Sequence, residues 1–457
     1  MSDPSPGSDL AVAGRWRPPS RVVRRTKLAL ALGLWSSGIV TLFVTVPGAP
    51  MVRDAALLLF LALAIPSAKP ITRTLASVGL AAAAALWLLY GDAAALLVAA
   101  ERTQVFVLFL PALFMIRETL AQSPETEAAK AAFDGLEPGR RIAGLTIGSH
   151  IVASVMIIGA LPIIRPFVVR QTDPTLRREL VRAAMRGFAL VVLWSPFTVG
   201  MGFVLTQKPD VTLAAAVLAG LPLAALGLGA ALYVDRRWAG VLAALPALMA
   251  FRSLGTPVAV AVTLVVVLAS IAPLSTLQVV ALALPPLCLL RLWALRTARP
   301  AAAVARVVDD LPRMGDELVI FAAAVLIGRL LDVSGLPAAL VAGLALTSWP
   351  PMAVPTALLL LGPVMAVAGL HPIVAGTVLF AVMAPLDSTL PDLVQVQIVL
   401  FAWTAGAMVS YASLSVVAAA GFFDVPLRTI VVGVNLLFLL GFAVTMGFLH
   451  GLWVSVV

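Results

Sequence analysis

The sequence predicts an all-α, polytopic membrane protein of about 11–12 transmembrane helices, arranged as two inverted repeats. Three observations carry this. The chain has 457 residues, of which 61% are hydrophobic and only 12% charged, more apolar surface than a soluble fold of this size can bury. Its arginines cluster in the connections between apolar runs, so the net charge of +9 reads as cytoplasmic loops rather than a nucleic-acid surface. Two apolar runs, centred on Trp194-Ser-Pro-Phe-Thr-Val-Gly200 and on Ser410-Tyr-Ala-Ser-Leu-Ser415, are interrupted by polar, helix-breaking residues.

Residues 1–27 are polar, rich in Pro and Ser, then in Arg, and read as a disordered cytoplasmic tail. The tail lacks the short apolar core and cleavage site of a signal peptide ahead of the first span. A first membrane repeat is expected over residues 28–234. Its spans are Leu28–Val46, Ala55–Ala68, Leu75–Tyr90 and Ala93–Ile116, the last containing Glu101-Arg102, which reads either as an intramembrane ion pair roughly a third of the way in or, if the span starts at Thr103, as an interfacial pair. Residues 121–141 form a polar, helix-prone connector on the cytoplasmic side. The run Ile142–Ile164 follows, with Arg140 and Arg141 before it and Arg165, Arg170, Arg177, Arg178, Arg182 and Arg186 after it. Basic residues on both flanks put both ends on one side, so this run dips in and returns as a re-entrant hairpin. Gly187–Leu205 is then a broken span and Leu213–Tyr233 an ordinary one.

Residues 235–313 read as connecting helices and a cytoplasmic linker. Three apolar runs, 238–251, 255–273 and 275–290, lie between two basic stretches on the same side, so either one run does not cross or two share a crossing, and the sequence does not say which. The single cysteine, Cys288, excludes an internal disulfide and a cysteine metal cluster.

The second repeat, residues 314–457, is expected to span outward at Leu318–Leu331, back at Leu336–Ser348 and outward at Val354–Ala368. A hairpin entering from outside is expected over Gly369–Pro391, then a broken span Val394–Gly421 and a final span from Thr429. Asp387, followed by Ser and Thr, reads as a helix cap. Ser195 and Ser410 are related by an offset of 215 (410 minus 195), which also sets Thr198 against Ser413. The charges give the two units opposite orientations, the arrangement of many secondary transporters.

A coiled break at mid-depth exposes backbone N–H groups that favour an anion, and carbonyls and hydroxyls that suit Na⁺. The candidate substrate- and ion-binding residues are therefore Ser149, His150, Ser195, Pro196, Thr198, His371, Ser410, Ser413 and Ser415. Each serine also has an ordinary alternative as a helix-packing residue bonded to its own backbone. His150 and His371 are open between proton carrier or hydrogen-bond donor and structural cap.

The arrangement of hairpin, broken span and span, twice and inverted, over residues 142–234 and about 363–450, resembles the ion transporter superfamily of dicarboxylate/sodium symporters and arsenite and citrate permeases. The resemblance implies a scaffold domain that mediates homodimerisation and a transport domain that moves as an elevator. The expected function is a secondary active transporter of a small, anionic solute, coupled to H⁺ or Na⁺, without a cofactor and without nucleic acid. Arginine use over lysine, with abundant Ala, Val and Leu, suggests a bacterial inner membrane, with the N-terminus cytoplasmic. The alternatives are an integral-membrane enzyme acting on a lipid-linked substrate and a non-catalytic membrane subunit. The first is disfavoured by short external loops and the lack of a nucleophile–base cluster, and no phosphate-binding loop supports ATP-driven transport.

Overall fold

The computed structural model describes residues 20–68, 70–91, 94–137, 140–295 and 299–456, so most of the expected tail lies outside the described residues. Within them the chain is helical throughout, with no strand. Seven helices are long and apolar enough to cross a membrane, or up to eight if the bent pair Pro300–Ser334 and Leu336–Gly343 is one span. Other apolar sequence lies in helices of 10–17 residues. The first helix begins at Arg21, earlier than the hydropathy suggests, because the Ser20 hydroxyl accepts from the Val23 N–H and caps it.

The helices form two bundles. One contains Arg21–Val40, Ala49–Ser67, Pro70–Tyr90, Ala95–Ala121, Thr276–Ala294 and Gly315–Ser334. The other contains Arg141–Met156, Pro174–Leu190, Leu213–Leu242, Ala353–Val367, Pro372–Met383, Asp392–Val409 and Val434–Val454. Their main contact is between Gly315–Ser334 and Pro372–Met383.

Ion pairs mark one end of the molecule: Arg24 with Asp309, Arg117 with Asp310, Arg306 with Glu118, Arg291 with Glu125 and Arg170 with Asp134. This is the arginine-rich face. Helix Pro124–Asp134 lies here as expected, burying Thr126, Ala129 and Phe133 along one side. At the opposite end Lys208 pairs with Asp387 and Asp392, and Arg102 donates to Gln207.

The first hairpin has arms Arg141–Met156 and Ala160–Val169, joined at Ile157–Gly159. Ile157 takes φ 49° with ψ −127°, a positive-φ conformation outside the helical regions, where the first arm ends. Both arms lie along Pro124–Asp134: Phe133 packs against Phe167 and sits over Gly148.

The second hairpin differs from the expected Gly369–Pro391. Its arms are Ala353–Val367 and Pro372–Met383, and the bend falls at 368–371, where Gly369 has φ +85°. Val354–Ala368 is thus an arm rather than a traverse. Nor does Leu336–Ser348 cross back, because helix Leu336–Gly343 has only 8 residues and packs beside Pro372–Met383 and its extension. Both hairpin ends lie at the Lys208 face: Thr356 touches Gly447 near the end of the last helix, and Asp387 holds Lys208.

The middle of the chain resolves the odd crossing. Run 238–251 does not span: Arg237 (φ 54°) bends helix Leu213–Leu242, and the helical stretch Arg237–Ala250 beyond the bend is too short to cross and packs against the first hairpin. Helices Arg252–Ile271 and Thr276–Ala294 run out and back. Phe251 packs on Phe133, Gln278 reaches a cavity with Thr41 and Arg53, and Arg291 returns to Glu125.

Candidate functional site

Both polar interruptions are real breaks. In the first, helix Pro174–Leu190 and a 3-10 turn end at Leu193, and the chain restarts as Val199–Gln207, with Thr198 as N-cap accepting from the Met201 N–H at 3.2 Å. In the second, Asp392–Val409 ends and Leu414–Phe423 begins after Ser413. Helix Val199–Gln207 ends at the Lys208 face, and Leu414–Phe423 ends where Arg165 and Arg177 bond the carbonyls of Phe422 and Phe423.

Ser195 and Ser410 do matching work. The Ser195 hydroxyl donates to the Ser154 carbonyl at 2.6 Å and accepts from the Phe197 N–H at 3.2 Å. The Ser410 hydroxyl donates to the Leu370 carbonyl at 3.0 Å and accepts from the Ala412 N–H at 3.2 Å. Each serine ties a broken span to its own hairpin. The backbone groups freed by the breaks are thereby partly satisfied within protein.

Between the bundles lies a cavity of about 120 Å³, bordered by Ile157 of the first hairpin bend, Thr198 of the first break, His371 and Pro372 of the second hairpin bend, and Ser413–Ser415 of the second break. Trp403, Phe188 and Phe321 make much of the rest apolar. Thr198, His371, Ser413 and Ser415 of the expected set therefore meet at one place. His371 caps helix Pro372–Met383, its Nδ1 accepting from the Ile373 N–H at 3.4 Å. The hydroxyls of Ser413 and Ser415 are 2.8 Å apart, and Ser415 donates to the Ala407 carbonyl.

The remaining expected residues lie off the cavity. Ser195, Pro196 and Ser410 are buried behind it. His150 is saturated: Trp194 Nε1 donates to its Nε2 at 3.0 Å, and its Nδ1 faces the Gly187 carbonyl at 3.0 Å. The indole N–H can only donate, so Nε2 accepts and the proton sits on Nδ1. Ser149 is buried, and its hydroxyl has no partner among the described residues.

The sequence reading missed Glu317, which faces the cavity from the first turn of Gly315–Ser334. The signal was Asp316-Glu317 at the head of an apolar run, where acids are common for the helix dipole alone.

A second cavity, of about 220 Å³, opens at the Lys208 face between the same two bundles and is lined by Arg102, Lys208, Arg329, Asp332 and Asp387. Burial works against the charge on Lys208, but hydrogen bonds and charges from Asp387 and Asp392 outweigh it and hold its pKa above the ordinary value. Phe203 lies between the two cavities, packed on Trp403 (5.7 Å between centroids) and Phe380 (5.9 Å).

No protein-family model matches this chain, and no curated protein matches it. Among solved structures it is similar to the crystal structure of the YdaH transporter of Alcanivorax borkumensis, with a TM-score of 0.50. The match covers 76% of this chain and 85% of that one, at 14% sequence identity. The chain has a transporter-like membrane fold. At that identity the likeness speaks for the fold alone. The convergence of bends and breaks on one cavity is what gives that fold a site.

Proposed function

We propose that the protein is a secondary active transporter that moves a small, anionic solute across a bacterial inner membrane, coupled to H⁺ or Na⁺. One observation carries the reading: both hairpin bends and both helix breaks border a single cavity at the interface of two bundles. A structural membrane protein has no use for four irregular backbone segments at one buried point. The anionic preference rests on helix ends. Val199–Gln207, Pro372–Met383 and Leu414–Phe423 all begin at the cavity, so three helix N-termini converge there, with Thr198 and His371 each capping one N–H of the first two. Thr198, Ser413 and Ser415 supply hydroxyls for the solute or a coupling ion.

The two hairpin–break units make an inverted repeat of the ion transporter superfamily type. The bundle holding Gly315–Ser334 is the scaffold, and a homodimer forms through it. The bundle holding both hairpins slides past it as an elevator. The N-terminus and the arginine-rich face are cytoplasmic. Ser149, His150, Ser195, Pro196 and Ser410 hold the transport bundle in shape, and Thr198, His371, Ser413 and Ser415 meet the solute.

The test uses proteoliposomes and a bundle-to-bundle crosslink. A Cβ on Gly328 would stand 2.6 Å from the Thr377 methyl, so Gly328→Cys with Thr377→Cys, in a Cys288→Ser background, joins the two bundles. The uncrosslinked protein accumulates at least one radiolabelled mono- or dicarboxylate under an imposed H⁺ or Na⁺ gradient. Oxidation stops uptake and reduction restores it. Accumulation of no carboxylate under either gradient, or full-speed uptake by the crosslinked protein, contradicts the proposal.

A further inference from the structure

Among the described residues Glu317 is the one acid bordering the central cavity, and it comes from the opposite bundle to Thr198, His371, Ser413 and Ser415. Its carboxylate makes no hydrogen bond or ion pair with another described residue. The charged groups acting on it are Asp316, its neighbour in the helix, and Arg117 of Ala95–Ala121. Arg117 is already held by Glu118 and Asp310, Glu118 also takes Arg306, and Asp310 also takes Arg313. Lys27, from the first helix, acts on Asp316 and donates to Ser67. Across the cavity stands His371, its Nδ1 turned to its own helix. Glu317 is thus an unpaired acid beside a site built from helix N-termini, at the end of the cavity next to the arginine-rich face.

A site that attracts an anion and a neighbouring carboxylate that repels it are in conflict whenever the carboxylate is charged. Two like charges confined to this volume weaken binding by on the order of tenfold to a hundredfold. The conflict disappears when the carboxyl group holds a proton.

We propose that Glu317 is the proton-dependent release group of the transport site. Neutral, it shares the cavity with the anion. When its proton leaves to water, –COOH becomes –COO⁻, and the anion is expelled toward the arginine-rich face. No bond to the solute forms or breaks. Protonation and anion binding favour one another, and the coupling is reciprocal. The proposal rests on the reading of an anionic solute given above. The carboxylate sits on the scaffold bundle, so it meets the site in this position of the elevator and is left behind when the transport bundle moves.

The experiment is equilibrium binding to the purified full chain, with acetate, succinate, glutamate and citrate as probes, at about pH 5 and about pH 8. The wild type binds at least one probe, and its affinity falls by about tenfold or more at the higher pH. Glu317→Gln binds at both pH values with the wild type's affinity at low pH. Glu317→Asp keeps the pH dependence, and unliganded melting curves verify that both variants fold. PH dependence that survives in Glu317→Gln assigns it to another group, such as His371, and overturns the proposal. Loss of all binding in Glu317→Gln, with Glu317→Asp still binding, makes Glu317 a ligand of the solute and also overturns it. A wild type that binds no probe at either pH contradicts the anion reading itself, and the release role falls with it.

Discussion

The two hairpin–break units share a plan and differ in what they do with it. In both, a serine ties the break to the hairpin: Ser195 to the Ser154 carbonyl, Ser410 to the Leu370 carbonyl. In both, the chain resumes as a short helix starting at the cavity. The first unit spends most of its polar groups internally, with the Ser149 hydroxyl left over among the described residues. His150 is held by Trp194 and Gly187, and Thr198 caps the restarting helix. The second leaves groups over. Ser413 is an N-cap whose side chain does not cap, and His371 sits at the bend, on the cavity wall. The first unit brings one hydroxyl, Thr198, to the cavity, and the second brings His371, Ser413 and Ser415.

Anchoring separates the units most. In the first, Arg186 is 1% exposed and is bonded by Asp235 and by Asn435, 2.7 Å away, which fastens helix Pro174–Leu190 to Leu213–Leu242 and to the last helix. At the matching offset of 215 the second unit has Phe401, a plain core residue. Asp235→Ala therefore strands a buried guanidinium, and thermal unfolding in detergent should show a loss of about 3–5 kcal/mol. Phe401→Leu, which leaves no charge unpaired, should cost about 1 kcal/mol.

Close helix approach is the next point of contrast. A methyl group on Gly187 would collide with the Thr146 carbonyl of the first hairpin, a backbone atom that cannot turn aside. In the second unit the glycine is on the hairpin instead: a Cβ on Gly362 would lie 3.0 Å from the Ala402 Cα. Gly187→Ala should destabilise by about 3 kcal/mol and Gly362→Ala by about 1 kcal/mol, measured as the same unfolding difference. Equal losses would mean that the two hairpins are seated alike.

The tie serines should behave as equals. Ser195→Ala and Ser410→Ala each leave a hairpin carbonyl and a break N–H without their shared partner, at about 1–3 kcal/mol apiece. A large difference between them would break the correspondence of the two units. Ser413→Ala should be the mildest for stability, within about 0.5 kcal/mol, because Ser415 keeps its bond to the Ala407 carbonyl. Its effect belongs in solute affinity, read by binding of the carboxylate that the wild type transports.

Much of this plan was legible in the chain. Proline and small hydroxyl residues inside apolar runs located both breaks, and the offset of 215 maps Val199–Gln207 onto Leu414–Phe423 almost residue for residue. Arginines on both flanks marked the first hairpin. The second hairpin carries no such flanks, and its bend has only Gly369 as a signal, while the Pro385–Asp387 turn imitates one. Leu336–Ser348 is apolar enough to span, and only tertiary packing shows that it stays at one face. Packing also decides that His150 is spent on Trp194 and that Glu317, distant in sequence from both breaks, reaches the cavity.

The central claim is that the two breaks form one solute site. With Cys288→Ser as background, single cysteines at Thr198 and at Ser413 can be tested for protection from a thiol reagent by the transported solute. The account predicts that the same solute slows labelling at both positions over the same concentration range. Protection of one position alone, or of neither while the solute still accumulates, would place the site elsewhere.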